Sequence, residues 1–298
     1  MKILHVISSI DLRHGGPSRY ILDLVMAQNL KGITSHICTT HLRKNKVKIS
    51  NYYKIIKNKI FNFKIDLFDS LRISRKYIRF INNNIKNYDI IHIHGFYRFP
   101  VTYAAYKARK LKIPYMIMPH GALDPYLYKQ SSKSLILKKL WEYFFDIPNI
   151  RCAEVIHCTS DLEKNKINQL NIVPKAKFFV IPNFISDIFF KKKTKNLLFK
   201  NKIGFSNDDK IILFLGRINF KKGLDLLIPA FKKINNVFPN YKLLVVGQNN
   251  ENYLEQVVLP LVEKNNLEDN FKYLPAIYGE ELVQCYQESD LFVLPSYS

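Results

Sequence analysis

The sequence predicts an α/β protein of two domains, each a parallel sheet with helices wound around it. Three observations carry this. A length of 298 residues suits about two domains, and a composition 47% hydrophobic and 13% aromatic is enough to build two cores. Short apolar runs of strand length recur along the chain, several of them stopped by a glycine. Between these runs the apolar spacing switches to three and four residues, the period of a helix packed on one side. Such alternation produces parallel strands joined by right-handed crossovers.

Lys2 to Ser8 reads as a buried first strand, followed by a loop that contains Gly15-Gly16. Ser18 is expected to cap a helix over Tyr20 to Leu30, and Ile33 to Thr39 to form the second strand. Strand, glycine loop and helix in this order begin a Rossmann-like unit, although Gly-x-Gly-x-x-Gly is absent. The two glycines either make a tight turn or let the backbone approach a phosphate or sugar.

A basic, tyrosine-rich stretch over 43–88 contains a helix around Leu71 to Ile85. A strand over Asp89 to His94, a helix over Pro100 to Lys110 and a strand over Tyr115 to Met118 follow. His92 and His94 fall on one strand face. A metal site needs a third ligand and none stands nearby, so histidines of the core or of a cleft edge are favoured. His120 lies just past a strand end, where open parallel sheets place their ligands, and permissive Gly121 follows it. There it either exchanges a proton near neutral pH or makes a purely structural hydrogen bond.

Ser131 to Phe145 is amphipathic, basic and aromatic; packing on the core is favoured over lying on a membrane surface. A strand over Val155 to Cys158, a helix over Asp161 to Leu170 capped by Ser160, and a strand over Phe178 to Ile181 complete a first domain of residues 1–184. The second domain spans 185–298, with 184–207 read as linker and entry. Its strands are Ile211 to Leu215, Lys242 to Val246, Phe271 to Leu274 and Leu291 to Leu294. Its helices are Leu224 to Asn236, Asn252 to Lys264 and Glu280 to Glu288.

Between the first strand and helix of that domain stand Gly216-Arg217 and Lys222-Gly223. An arginine and a lysine at a helix start, where unpaired N–H groups already point outward, suit a phosphate or diphosphate. The alternative is a solvated basic loop. No helix follows the last strand to cover its edge, so a truncated second domain is expected.

Charge admits three partners. The chain carries 46 Lys and Arg against 24 Asp and Glu, formally +22, which suits nucleic acid, an anionic membrane or a phosphorylated substrate. Arg43 to Lys86 holds 13 basic and 2 acidic residues, so the charge concentrates in the first domain. The abundance of Lys, Asn and Ile also has a blander source in codons rich in A and T. No helix-turn-helix, zinc finger or aromatic platform accompanies the charge, so nucleic acid ranks low. Four cysteines without metal spacing fit free buried thiols in a reducing compartment. With no apolar run of membrane-spanning length and no signal peptide, the expectation is a cytoplasmic protein, peripheral to a membrane at most.

Taken together, Gly15-Gly16, Pro119-His120-Gly121, Val180-Ile181-Pro182-Asn183, Gly216-Arg217, Lys222-Gly223, Val246-Gly247 and Pro295-Ser296 resemble glycosyltransferase family 4, the glycosyl transferase group 1 family. The stretch His120 to Pro125 is similar to members that build surface polysaccharides. The resemblance implies the GT-B architecture, two facing Rossmann-like domains with the active site in the cleft between them. It implies a retaining transfer from a nucleotide-diphosphate sugar to a glycan or polyprenyl-linked acceptor, with no essential metal or other cofactor. It places Arg217 and Lys222 on the diphosphate, Gly16 near the donor phosphate and His120 beside the transferred sugar. Gly15, Gly216 and Gly247 join them on the donor side, and the base rests in the region of Leu274 to Ile277, where Pro275 replaces a glycine common in the family. Two glutamates that contact the donor sugar in the family would stand beyond Ser298, so a chain ending there is expected to lack full activity.

Overall fold

In the computed structural model, which describes residues 1–11, 16–42, 51–125, 133–173, 177–185, 189, 198–249 and 252–297, the chain forms two compact units, Met1–Phe184 and Ile185–Ser298. The first unit is built on a sheet of seven strands: β1 (Lys2–Ile7), β2 (Thr34–His41), β3 (Ile60–Lys64), β4 (Ile90–His94), β5 (Tyr115–Met118), β6 (Val155–Cys158) and β7 (Phe178–Val180). They lie in the order β3-β2-β1-β4-β5-β6-β7, and every pairing is parallel. The helices are α1 (Gly16–Leu30), α2 (Arg75–Asn84), α3 (Phe99–Lys110), α4 (Lys133–Trp141), α5 (Ile147–Arg151) and α6 (Asp161–Gln169).

Strand side chains alternate between the two faces of a sheet. Leu4 and Val6 of β1, Ile91 and Ile93 of β4, and Ile156 of β6 join one core with Tyr77, Ile81, Ala104 and Ala108 of α2 and α3. On the other face Ile7 and Ile37 pack with Ile21, Leu22 and Val25 of α1. That second face also carries His5, His92 and His94.

The second unit is smaller. Strands β8 (Lys210–Leu215), β9 (Tyr241–Val246), β10 (Phe271–Leu274) and β11 (Leu291–Phe292) lie in the order β10-β9-β8-β11, again all parallel. Helices α7 (Leu198–Ile203), α8 (Leu224–Val237), α9 (Leu259–Lys264) and α10 (Glu280–Glu288) cover it. The apolar run of β8 is explained by burial on both faces. Ile212 and Phe214 meet Leu224, Ile228 and Phe231 of α8, while Ile211 and Leu213 meet Phe199 of α7 and Cys285 of α10.

The structure corrects several expectations. Ser18 is not a cap: α1 already starts at Gly16, and the Ser18 hydroxyl donates to the Ser9 carbonyl at 3.2 Å. The helix expected from Leu71 begins at Arg75, because the Ser74 hydroxyl accepts the Tyr77 N–H at 3.4 Å and ends the preceding turn. The expected strand ending at Leu294 stops at Phe292. The stretch read as linker and entry contains α7, whose Phe199 and Lys200 N–H groups donate to the Glu288 carboxylate at 3.2 and 2.9 Å. Cys38, Cys158 and Cys285 are buried thiols, but Cys152 is exposed.

The largest correction concerns α4. Its helix passes into a π-helical turn, Glu142–Asp146, and then into α5. The apolar side was expected to face the core. Instead Ile136 is 65% exposed, Leu137 71%, Tyr143 68% and Phe144 61%.

Candidate functional site

In an open parallel sheet, ligands bind beyond the carboxyl ends of the strands, where the strand order reverses. In the second unit that point lies between β8 and β11. Gly216 follows β8, and its N–H donates to the Val246 carbonyl at 3.0 Å. A Cβ on Gly247 would lie 1.7 Å from the Gly216 carbonyl oxygen, so the turns after β8 and β9 touch backbone to backbone. Arg217 follows, then a 3-10 turn, Phe220–Lys222, and then Gly223, which adopts φ +68° and caps α8. A Cβ there would meet the Pro295 carbonyl oxygen at 2.0 Å.

The loop after β11 is therefore pressed onto the loop after β8. The Lys222 ammonium donates to the Ser296 hydroxyl at 3.3 Å. The Tyr297 N–H donates to the Lys221 carbonyl at 2.9 Å, and its phenol to Asp225 at 2.7 Å. Partial burial and the nearby charges of Arg217 and Lys221 lower the pKa of Lys222. A cation weakened by like-charged neighbours gains most from an anion placed between them. Gly247 donates its N–H to the Leu274 carbonyl at 3.1 Å. The Leu274 and Ile277 side chains pack on the core beside Phe199 and Cys285.

In the first unit the order reverses between β1 and β4. Gly16 opens α1, is exposed, and has no heavy atom within 4 Å of where a Cβ would stand. Gly15 lies outside the described residues. His120 follows β5 with φ +54°, a left-handed conformation uncommon outside glycine, and Gly121 continues it at +74°. Glu163 of α6 holds this turn. Its carboxylate accepts the Gly121 N–H at 2.8 Å, the Thr159 N–H at 2.8 Å and the Thr159 hydroxyl at 2.9 Å. Burial pushes the pKa of His120 down to about 4 against the pull of Glu163, so its ring is neutral near pH 7.

Behind His120 stands a histidine that sequence reasoning missed. His5 pairs with His92 across β1 and β4, and candidate ligand nitrogens of His5, His92 and His94 all lie within 4.8 Å of one another. The expectation that no third histidine is near was wrong, because the partner comes from a strand 87 positions earlier that only sheet register brings alongside. His5 on the first strand and the period-two pair His92 and His94 were the available signal. His157 of β6 is also buried and stacks on His92 with ring centroids 5.5 Å apart.

The structure thus brings Gly216, Arg217, Lys222 and Gly247 together in the second unit, with Leu274 bonded to Gly247. It places Gly16 and His120 at the ligand end of the first sheet. No helix among the described residues is long and apolar enough to cross a membrane.

Residues 14–187 match the family described as Glycosyltransferase Family 4, and residues 196–298 that described as Glycosyl transferases group 1. An uncharacterized glycosyltransferase of Methanocaldococcus jannaschii, MJ1607, is 28% identical over 220 residues, covering 71% of this chain and 53% of that protein. The mannosylfructose-phosphate synthase of Agrobacterium fabrum is 26% identical over 242 residues, 74% of this chain and 51% of that one. The chain spans about half the length of these curated relatives. The fold is that of Anabaena Alr3699/HepE, solved in complex with UDP and glucose, with a TM-score of 0.71 at 16% identity over 100% of this chain and 75% of that one. The GT-B class of two Rossmann-like parallel sheets is therefore observed.

Proposed function

The chain belongs to glycosyltransferase family 4, and on that premise we propose that it moves a sugar from a nucleotide-diphosphate sugar to a glycan or polyprenyl-linked acceptor in polysaccharide synthesis, with retention at the anomeric carbon. One observation carries the reading: Arg217 and Lys222 stand together at the strand-order reversal of the second unit, with Lys222 braced on Ser296. When the bond from the anomeric carbon to the donor oxygen breaks, its electron pair passes to the diphosphate. Two fixed cations there stabilise the charge as it develops, commonly by a few kcal/mol per well-placed group. The UDP held by the Anabaena neighbour supports a nucleotide donor. In this reading the cation pair supplies the charge neutralisation, and neither metal nor cofactor is needed. Gly16 leaves room for a phosphate beside its N–H, and His120 serves the transferred sugar.

The acceptor side is assigned to a membrane carrying the polyprenyl-linked acceptor. Ile136, Leu137, Leu140, Tyr143, Phe144 and Phe145 are exposed on one helical segment with Lys139, in a unit rich in basic residues. That chemistry fits anionic lipid at the cytoplasmic face.

Incubation of the protein with UDP- and GDP-sugars, following nucleotide release and the anomeric configuration of the product, tests the reading. Release with retained configuration supports it. Nucleotide binding without turnover supports a nucleotide-binding chain only, and neither binding nor release removes it.

A further inference from the structure

A line of hydrogen bonds runs from Gln28 through two buried imidazoles to His120. The Gln28 carbonyl oxygen accepts from the Ser35 hydroxyl at 2.7 Å and from His5 Nε2 at 2.8 Å. His5 Nδ1 lies 3.1 Å from His94 Nε2, and His94 Nδ1 lies 3.1 Å from His120 Nε2. His5 and His94 are 0% and 2% exposed. Burial lowers the pKa of His5 and His120 to about 4 and holds His94 well below its ordinary value. All three rings are therefore neutral at pH 7, each with one N–H and one bare nitrogen.

That constraint fixes every proton in the line. An amide oxygen only accepts, so His5 carries its proton on Nε2 and offers a bare Nδ1. His94 must then donate from Nε2, which leaves its Nδ1 bare, and His120 must donate from Nε2 in turn. We propose that Gln28, His5 and His94 are positioning residues that lock His120, at the ligand end of the sheet, in the Nε2–H tautomer and leave its Nδ1 as a hydrogen-bond acceptor. Nδ1 makes no hydrogen bond among the described residues, and its service to a sugar hydroxyl rests on the function proposed above.

The same histidines admit one competing arrangement. His92 Nε2 is buried without a partner, and a divalent cation held by His5, His92 and His94 would occupy it. An ion held through His94 Nε2, the nitrogen turned toward His5, would need that nitrogen bare, which reverses the line and puts the His120 proton on Nδ1. The hydrogen-bonded line is favoured because each gap along it is bridged by a single proton at hydrogen-bond distance. No Asp, Glu or Cys among the described residues joins the three histidines to complete an ion's shell.

The test is a proton–nitrogen correlation spectrum of the full chain with nitrogen-labelled histidine at pH 7, together with its metal content. The expected result is His120 protonated at Nε2 and bare at Nδ1, with no stoichiometric metal. In His5→Phe or Gln28→Met the line loses its fixed end. The single tautomer should give way to a mixture, and kcat should fall about tenfold with the donor KM unchanged. Protonation at Nδ1 in the wild type, a tautomer unchanged in both variants, or one bound divalent ion per chain would each overturn the proposal. A locked tautomer in a protein whose turnover is indifferent to His120→Ala would instead overturn the role of His120 in transfer and leave the lock standing.

Discussion

Lys222 donates to Ser296 at 3.3 Å, which ties the loop after the first strand of the second unit to the loop after its last strand. The tie spans the reversal of strand order, so the loop that carries Arg217 and Lys222 is held against the loop after β11. Because the Lys222 pKa is lowered by burial, Arg217 and Lys221, the group loses its proton at a lower pH than an ordinary lysine. If Lys222 holds the donor diphosphate as proposed, binding needs its charged form. The donor KM should therefore rise on the alkaline side, starting below the ordinary lysine range, and the rise should vanish in Lys222→Arg, which stays protonated. Steady-state kinetics from pH 7 to about pH 10 check this.

The glycines separate packing from ligand approach. Gly247→Ala would force a Cβ to 1.7 Å from the Gly216 oxygen, and Gly223→Ala to 2.0 Å from the Pro295 oxygen at φ +68°. Each should cost about 3 kcal/mol or more in thermal or denaturant unfolding. Gly16→Ala meets nothing within 4 Å and should leave stability within about 0.5 kcal/mol. If a donor phosphate approaches that backbone, the same substitution should raise the donor KM about tenfold.

Glu163 sets the turn that carries His120. Its carboxylate accepts from the Gly121 N–H and from two groups of Thr159. Glu163→Ala hands those partly exposed donors to water and should cost about 0.5–1.5 kcal/mol, with Glu163→Gln losing less because one side oxygen still accepts. Transfer rate should fall with the loss of the turn, in the same order of variants.

Acid should destabilise the first unit through its histidine layer. His5 is held at about 4 in the folded state against 6.5 unfolded, so the unfolded chain binds the proton more readily. Its stabilising contribution is complete above about pH 6.5 and is lost as pH falls toward 4. At pH 5 the loss is about 2 kcal/mol for one fully buried imidazole. His92 and His94 are shifted the same way. His92→Leu, which also removes an orphaned buried nitrogen, should flatten the fall of Tm between pH 7 and pH 5.

The exposed side of the α4 segment gives a surface prediction. Leu137→Glu with Phe144→Glu should abolish co-sedimentation with vesicles containing anionic lipid while leaving the fold intact, since both side chains are more than 60% exposed. Wild-type binding at low salt should weaken at high salt. Failure of the wild type to bind anionic vesicles at low salt removes the membrane assignment.

The sequence showed what local pattern can show. The run Ile211 to Leu215 reads as a strand buried on both faces, and the structure buries alternate residues against α8 and against α7 with α10. His120 and the pair Arg217 and Lys222 were singled out because they follow strand ends. Other features depend on distant partners. His5 joins His92 only through register, and α7 is completed by Glu288, some 90 residues on. Amphipathic spacing showed that the α4 segment has an apolar side, but spacing does not say whether that side meets protein or solvent. β3 was hidden because Ile60–Lys64 sits in a basic stretch and is only partly buried at the sheet edge.

If Arg217 and Lys222 bind the diphosphate of a sugar nucleotide, calorimetric titration of UDP and GDP into the wild type, Arg217→Ala and Lys222→Ala reads it out. At least one of the two nucleotides should bind the wild type, with a loss of about 10–100-fold in each variant, about 1.4–2.8 kcal/mol. Equal affinity in all three proteins, or no binding of either nucleotide to the wild type, would contradict it.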